Sequence, residues 1–202
     1  MSYIKLLPTG LLLLVSACGQ APVRDNNDTL ANSGQQEQQA ASRLSTDERA
    51  LYKQAITALY NNKLSEAEGI FMGLIKKRPH LAGPWANLAL IKYKNNEIEQ
   101  STNYVNKALE LNPAMANALN LKAQLEIRNG HIKEAENLYL VAIQNNSSYA
   151  NAHYNIALLY DIYLQDIEKA VKHYKRYTEL TENKDTATIE WVQQLESSLN
   201  NS

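Results

Sequence analysis

The sequence predicts an all-α fold in which four helix–turn–helix units stack into a solenoid and one further helix covers the last unit. Two series of small residues carry this prediction. Ala55, Ala89, Ala123 and Ala157 are evenly spaced, and Ala67, Ser101 and Ala135 form a second series with the same interval. A fixed period of about 34 residues is typical of stacked helix pairs, because each pair can bury its apolar face only against a neighbour.

The first unit shows how the sequence forms two amphipathic helices. Apolar side chains recur at helical spacing, first at Leu51, Ala55 and Leu59 and then at Leu64, Ala67, Phe71, Leu74 and Ile75. This spacing places them on one face of each helix. The alanines within the two stripes let the paired helices approach closely. Ser45 and Glu48 have the spacing of a capping box, which predicts the start of the first helix.

The connections between helices repeat as well. Asn61-Asn62, Asn95-Asn96 and Asn129-Gly130 recur with the same period as the alanines. Asparagine and glycine tolerate the left-handed backbone conformation that ends many helices, so these pairs predict the turns within units one to three. Pro79 and Pro113 predict the end of a second helix, because proline cannot continue a helix that precedes it.

The fourth unit departs from this pattern. The step from Ala157 to Ala170 is longer by one than the corresponding step in the other units, so we expect one additional residue in its turn. After Asn183, a final helix is predicted to begin at Asp185-Thr186, with an apolar stripe formed by Ile189, Val192, Leu195 and Leu199. The last unit of a solenoid leaves an apolar face uncovered. We therefore expect the final helix to cover it, with Trp191 on that face or at its rim.

The units resemble the tetratricopeptide repeat (TPR), a helix pair with characteristic Trp, Leu, Ala, aromatic and Pro positions. The second unit carries this pattern at Trp85, Leu88, Ala89, Ser101, Val105, Ala108 and Pro113, whereas the third has Ser147 in place of the proline. The resemblance implies a right-handed α-solenoid of about four repeats, at residues 48–81, 82–115, 116–149 and 150–183. The solenoid domain would then span 45–183, and a capping helix and tail would span 184–202.

The N-terminus predicts export. Lys5 precedes an apolar segment from Leu6 to Val15, which is shorter than the ~20 residues of a membrane-spanning helix. Val15-Ser16-Ala17-Cys18 resembles the bacterial lipobox. The resemblance implies a lipoprotein signal peptide at residues 1–17, cleavage before Cys18, and acylation there, with palmitate among the acyl groups. An ordinary cleaved signal with an incidental cysteine is the alternative.

The segment after the cysteine predicts a tether. Residues 18–44 are rich in Gln, Asn, Ser and Ala and lack apolar periodicity, which is typical of disordered chain with a reach of roughly 25–30 Å. Gly19 resembles the sorting signal for the outer membrane, so we expect the domain to face the periplasm, with display outside the cell as the alternative. Lys+Arg (20) and Asp+Glu (21) nearly cancel, so nothing predicts binding to nucleic acid.

The TPR resemblance also implies a concave groove lined by the first helix of each repeat. The family's groove positions, carried onto this sequence, give twelve candidates for peptide binding: Arg49, Tyr52, Tyr60, Tyr93, Lys94, Asn117, Asn120, Gln124, Arg128, Asn151, Tyr154 and Asp161. Amide side chains can hydrogen-bond a peptide backbone, and tyrosines offer stiff contact area. The alternative is that each is an ordinary polar residue on a solvated face. The carboxylate clamp of chaperone-binding members is not predicted, because Tyr52 and Ile56 occupy its places in repeat one.

No motif for catalysis or for cofactor binding is present. The four histidines lack metal-ligand spacing, and the sequence has no phosphate-binding loop or nucleophile elbow. His131 and His173 are predicted to be surface residues. Tyr139, Tyr174 and Tyr177 are predicted to seal contacts between repeats rather than to bind a ligand. We therefore expect a protein without enzymatic activity, cofactor or metal, and without a small-molecule substrate.

Three functions follow as hypotheses. The first is a lipid-anchored adaptor or scaffold that binds a protein or peptide partner in its groove, in cell-envelope or peptidoglycan-enzyme assembly. The second is a pilotin-like assembly factor for a type IV pilus or secretion-system secretin, although pilus pilotins have more than four repeats. The third is an enzyme, which the absence of a catalytic constellation disfavours.

Overall fold

The computed structural model describes residues 44–200. This range is helical and contains no strand; its helices are α1 (Thr46–Tyr60), α2 (Leu64–Lys77), α3 (Ala82–Lys94), α4 (Ile98–Leu111), α5 (Ala116–Arg128), α6 (Ile132–Asn145), α7 (Ala150–Leu158), a π-helix (Leu159–Leu164), α8 (Ile167–Leu180) and α9 (Thr186–Asn200). Each second helix packs against the first helix of the next pair, which confirms the predicted α-solenoid. The predicted signal peptide, Cys18 and nearly all of the tether lie outside the described residues.

Small residues mark the points where the two helices of a repeat cross. All eight have no exposed surface: Ala55 with Ala67, Ala89 with Ser101, Ala123 with Ala135, and Ala157 with Ala170. Ser101 is the only polar member, and its Oγ donates a hydrogen bond to the Ala89 carbonyl at 2.9 Å. The buried hydroxyl is therefore satisfied across the crossing rather than left without a partner.

The turns within repeats one to three have the predicted backbone. Asn62, Asn96 and Gly130 have positive φ angles of 56°, 61° and 82°. The residue after each one donates its N–H to a carbonyl five positions earlier: Lys63 to Ala58 (2.8 Å), Glu97 to Lys92 (2.8 Å) and His131 to Glu126 (2.9 Å). This is the bonding of a left-handed helix terminus, which satisfies carbonyls that the helix itself leaves unpaired.

Repeat four takes up its additional residue in a different place from the one predicted. Gln165 has the left-handed conformation (φ 54°) and precedes Ala170 by five positions, as the corresponding residues do in the other repeats. The terminal hydrogen bond, however, runs from the Asp166 N–H to the Tyr160 carbonyl, six positions back rather than five. The turn is therefore of normal length, and the prediction of a longer turn is wrong. The π-helix Leu159–Leu164 absorbs the residue by widening the end of the first helix.

The N-terminal end of the solenoid is closed by the predicted capping box. The Ser45 Oγ accepts from the Glu48 N–H at 3.2 Å, and the Glu48 carboxylate accepts from the Ser45 N–H at 2.9 Å. The same carboxylate accepts from the Arg78 Nε at 2.9 Å, which ties the start of α1 to the end of α2. This hydrogen bond from Arg78 lowers the pKa of the Glu48 carboxyl to about 2.

The C-terminal end is closed by α9, as predicted. Val192 and Leu195 are buried in the core of repeat four, whereas Ile189 is half-buried and Leu199 is exposed. Trp191 is 41% exposed and therefore lies at the rim of this contact. The predicted sealing tyrosines are buried as well: Tyr139 is 1%, Tyr174 2% and Tyr177 8% exposed.

Candidate peptide-binding groove

The predicted groove residues lie on the first helices of the four repeats. Eleven are on α1, α3, α5 and α7, and Asp161 is on the π-helix. Neighbouring first helices contact each other from α3 to α5 and from α5 to α7, and a hydrogen bond from Asn87 to Tyr52 joins α3 to α1, so these residues form one continuous row. Arg49, Tyr60 and Arg128 are exposed, Asn120 is buried, and the other eight are half-buried.

Two of the candidates are hydrogen-bonded to the next repeat. The Asn87 Nδ2 donates to the Tyr52 hydroxyl at 3.0 Å, and the Asn155 Nδ2 donates to the Asn120 Oδ1 at 2.9 Å. Both bonds join residues 35 positions apart. Tyr52 and Asn120 therefore align neighbouring first helices, a role that the prediction of peptide binding did not include.

A third bond crosses the boundary between repeats two and three. The exposed Arg128 donates from Nη2 to the Asn96 Oδ1 at 2.8 Å, and its guanidinium lies over the Tyr93 ring, 5.8 Å from the centroid. Both partners are neutral, so the side chain is held in place while its charge is not neutralised. Each of the three repeat boundaries is thus bridged by a side-chain hydrogen bond between residues of the first helices or their turns.

Two candidates of repeat four, Tyr154 and Asp161, contact its second helix, and Asp161 also contacts the capping helix. Asp161 Oδ2 accepts hydrogen bonds from the Trp191 Nε1 at 2.8 Å and from the Tyr174 hydroxyl at 3.2 Å. The Tyr154 ring packs against those of Tyr174 and Tyr177, with centroids 5.8 and 4.9 Å away. Burial and the nearby Asp161 carboxylate raise the pKa of Tyr174. The widened π-helix thereby directs Asp161 toward α9.

The bridging asparagines were missed in the sequence analysis, although a signal for them exists. Asn87 and Asn155 occupy the same position in repeats two and four, two repeat periods apart. This position lies next to the family's groove positions rather than among them. The signal is partial, because Lys53 and Leu121 occupy this position in repeats one and three.

One prediction about histidines is wrong. His131 is exposed, as expected, but His173 is half-buried, and its Nδ1 lies 3.1 Å from the Nδ1 of the buried His153. The His153 Nε2 lies 3.3 Å from the Ser147 carbonyl. Because a carbonyl can only accept, His153 carries its proton on Nε2 and accepts at Nδ1 from His173. Burial and the neighbouring His153 lower the pKa of His173 to about 4.

The described range holds one group of three side chains that one metal ion could reach. The ligand atoms of Glu126, His131 and Glu134 lie within 4.8 Å of one another, but His131 and Glu134 are exposed. His131 Nδ1 and Glu126 Oε2 are 2.8 Å apart. The Lys92–Glu97 ion pair joins the same two positions in repeat two, so the Glu126–His131 pair is explained by its role in the turn.

This architecture of stacked helix pairs with a polar row on the first helices is a protein-interaction fold. Residues 82–115 and 150–184 match the model of the tetratricopeptide repeat, and the chain is similar in fold to tetratricopeptide repeat proteins. No curated protein matches the sequence significantly. Within residues 44–200, no helix combines the length and apolar character needed to cross a bilayer.

Solved structures share the fold at low sequence identity. PilF from Pseudomonas aeruginosa is 17% identical, with a TM-score of 0.66 over 76% of this chain and 69% of its own. A thermophilic TPR protein from Thermus thermophilus, TTC0263, is 19% identical, with a TM-score of 0.61 over 78% and 86%. Yeast Tom70 is 20% identical, with a TM-score of 0.63 over 77% of this chain and 34% of its own. At these identities the similarity shows the fold alone.

Proposed function

We propose that this protein is a lipid-anchored adaptor or scaffold of the bacterial outer membrane. It would hold a protein or peptide partner along the first helices of its repeats, on the periplasmic side. Enzymes of cell-envelope or peptidoglycan assembly are the class of partner that we propose. The observation that carries this proposal is the continuous row of half-buried amides and tyrosines on a TPR scaffold. The lipobox-like Val15-Ser16-Ala17-Cys18 supports the anchor.

Photo-crosslinking in living cells tests the groove. A photoreactive amino acid replaces Tyr93 or Gln124 on the first helices, and Lys107, on the second helix α4, serves as the control position. We expect one dominant crosslinked protein from the two groove positions and none from Lys107. Equal labelling from both faces, or labelling from Lys107 alone, would contradict a partner in the groove.

Metabolic labelling with radioactive palmitate tests the anchor separately. We expect label in the wild-type protein and none in Cys18→Ala, which should remain an unprocessed precursor. Incorporation of label into Cys18→Ala would show that the cysteine is not the lipidated residue. The proposed anchor at Cys18 would then be wrong, whereas the proposed binding of a partner in the groove would be unaffected.

A pilotin-like assembly factor for a pilus or secretion-system secretin is the second candidate. The similarity in fold to PilF is compatible with it, although 17% identity extends no function to this chain. Deletion of the gene separates the two candidates. Loss of secretin multimers in the outer membrane would favour the second, and altered cell shape with intact secretins would favour the first.

A further inference from the structure

The last residues of the first helices form a rim of distinctive composition. Tyr60, Lys94 and Arg128 end α1, α3 and α5, and Ile162 with Tyr163 occupies the corresponding place on the π-helix. Tyr60, Ile162 and Tyr163 are 43%, 51% and 43% exposed. The rim therefore has an exposed apolar side chain at each end and two cations between them.

Arg128 differs from the other cations of the described domain that are held in place. Arg78, Lys92 and Arg176 each form an ion pair with a glutamate. Arg128 is held by the Asn96 amide oxygen and the Tyr93 ring, and no carboxylate of residues 44–200 pairs with it. A guanidinium that neutral groups already orient has less freedom left to lose on binding, and it can form charge-assisted hydrogen bonds with a carboxylate.

We propose that this rim binds an extended segment of the partner protein that has a central Asp or Glu between two apolar residues. The inference rests on the proposed function and names the partner's chemistry. The acidic side chain docks on Arg128, with the positive charge of Lys94 beside it. One apolar side chain packs on Ile162 and Tyr163, and the other packs on Tyr60. The segment is internal to the partner, since a side chain supplies the carboxylate.

The geometry of the repeats sets the spacing in that segment. Neighbouring first helices lie roughly 8–10 Å apart, and an extended chain advances about 3.3 Å per residue. One repeat therefore corresponds to about three residues of the bound segment. Arg128 is one repeat from Ile162 and two from Tyr60, so the acidic residue should lie about three residues from one apolar residue and about six from the other.

A phage-displayed library of random dodecapeptides, selected on the full-length chain in detergent, tests this inference. We expect enriched peptides to contain Asp or Glu at the stated distances from two apolar residues. Selected peptides are then synthesised with an acetylated N-terminus and an amidated C-terminus, so that only side chains supply carboxylates. Arg128→Gln should weaken their binding about tenfold or more, because one charge-assisted interaction is lost.

Matched variants separate the possible results. Arg176→Gln removes the same charge from the second helix α8 and should leave peptide binding unchanged. Asn96→Gly keeps the left-handed turn but releases Arg128, so it should weaken peptide binding less than Arg128→Gln does. Selected peptides could lack an acidic residue and bind Arg128→Gln as well as the wild type, but bind Gln124→Arg more weakly. That result would overturn the rim inference and leave the groove proposal intact. Enrichment of no peptide, or only of peptides insensitive to both changes, would overturn both. Unchanged circular dichroism spectra establish that each variant is folded.

Discussion

The Nδ1 atoms of His153 and His173 lie 3.1 Å apart, on the two helices of the fourth repeat. Their ring centroids are 5.3 Å apart. This is close to the sum of the Nδ1–Nδ1 distance and the radii of the two rings, so both nitrogens lie near the line that joins the ring centres. The two nitrogens therefore point directly at each other, and one proton lies between them. A second proton in this gap would make one ring a cation and turn two N–H donors toward each other, with Lys172 adding further positive charge.

This pair predicts that acid destabilises the domain. The pKa of His173 is about 4 in the folded protein and 6.5 in the unfolded chain, so the unfolded chain binds the proton first as the pH falls. Stability that is complete above pH 6.5 should be lost progressively between pH 6.5 and about pH 4. The loss from this residue should stay below about 3 kcal/mol, since water partly screens the half-buried ring.

Urea unfolding at pH 7 and at pH 4.5 measures the effect. His173→Gln should show a smaller loss of unfolding free energy between these pH values than the wild type. Glu48 also has a lowered pKa, but its contribution is lost only as the pH falls from about 4.5 towards 2. Equal pH dependence in His173→Gln and the wild type would contradict the prediction.

The small residues at the helix crossings predict that the stability of the domain depends strongly on side-chain size there. Ser101→Leu should destabilise the domain by about 1–3 kcal/mol or more, because Ser101 has no exposed surface and α3 and α4 would be forced apart. Ser101→Ala is the matched control and should change stability by less than about 1 kcal/mol, since alanine occupies this position in the other repeats. Thermal unfolding followed by circular dichroism measures the stability of both variants. An equal loss of stability in Ser101→Leu and Ser101→Ala would contradict crowding as the cause.

Alanine substitutions at two glycines, one in a left-handed turn and one within a helix, should change stability in opposite directions. Gly130 has φ 82°, which an alanine adopts only with strain, so Gly130→Ala should cost roughly 1 kcal/mol. Gly73 lies within α2 with no atom within 4 Å of an added Cβ, so Gly73→Ala should stabilise by about 0.5–1 kcal/mol. Chemical unfolding of both variants checks the signs, and stabilisation by Gly130→Ala would contradict the assignment of this turn.

The hydrogen bond between Asn87 and Tyr52 predicts coupling between repeats one and two. Tyr52→Phe removes the acceptor hydroxyl and Asn87→Ala removes the donor, and each should cost about 1 kcal/mol. A double-mutant cycle should give a coupling energy of about 0.5–1.5 kcal/mol. Additive effects in the cycle would mean that the bond contributes nothing to the repeat boundary.

The repeat architecture was predictable because each unit places the same residue types at the same positions. The asparagines and glycine of the turns and the alanines of the crossings act locally, and four copies of one pattern reinforce each other. The additional residue of repeat four could be counted from the sequence but not located. Its place depends on whether the turn Gln165-Asp166 or the helix before it deforms more easily.

The functions of individual polar residues were harder to predict. The contact between His153 and His173 depends on how α7 and α8 pack, and their separation of 20 positions matches no motif. Tyr52 and Asn120 occupy groove positions, yet their hydrogen bonds join repeats to each other. A polar side chain that faces a partner and one that faces the next repeat have the same residue type and the same spacing.

The three bonds across the repeat boundaries affect how the molecule responds to load. In a chain of units coupled only to nearest neighbours, a pull along the chain acts on all boundaries in series. A partner that pulls on repeat four would therefore load the Asn155–Asn120, Arg128–Asn96 and Asn87–Tyr52 boundaries with the same force. The solenoid would thus open first at its weakest boundary, and reinforcing the other two boundaries would not raise the force at which it opens.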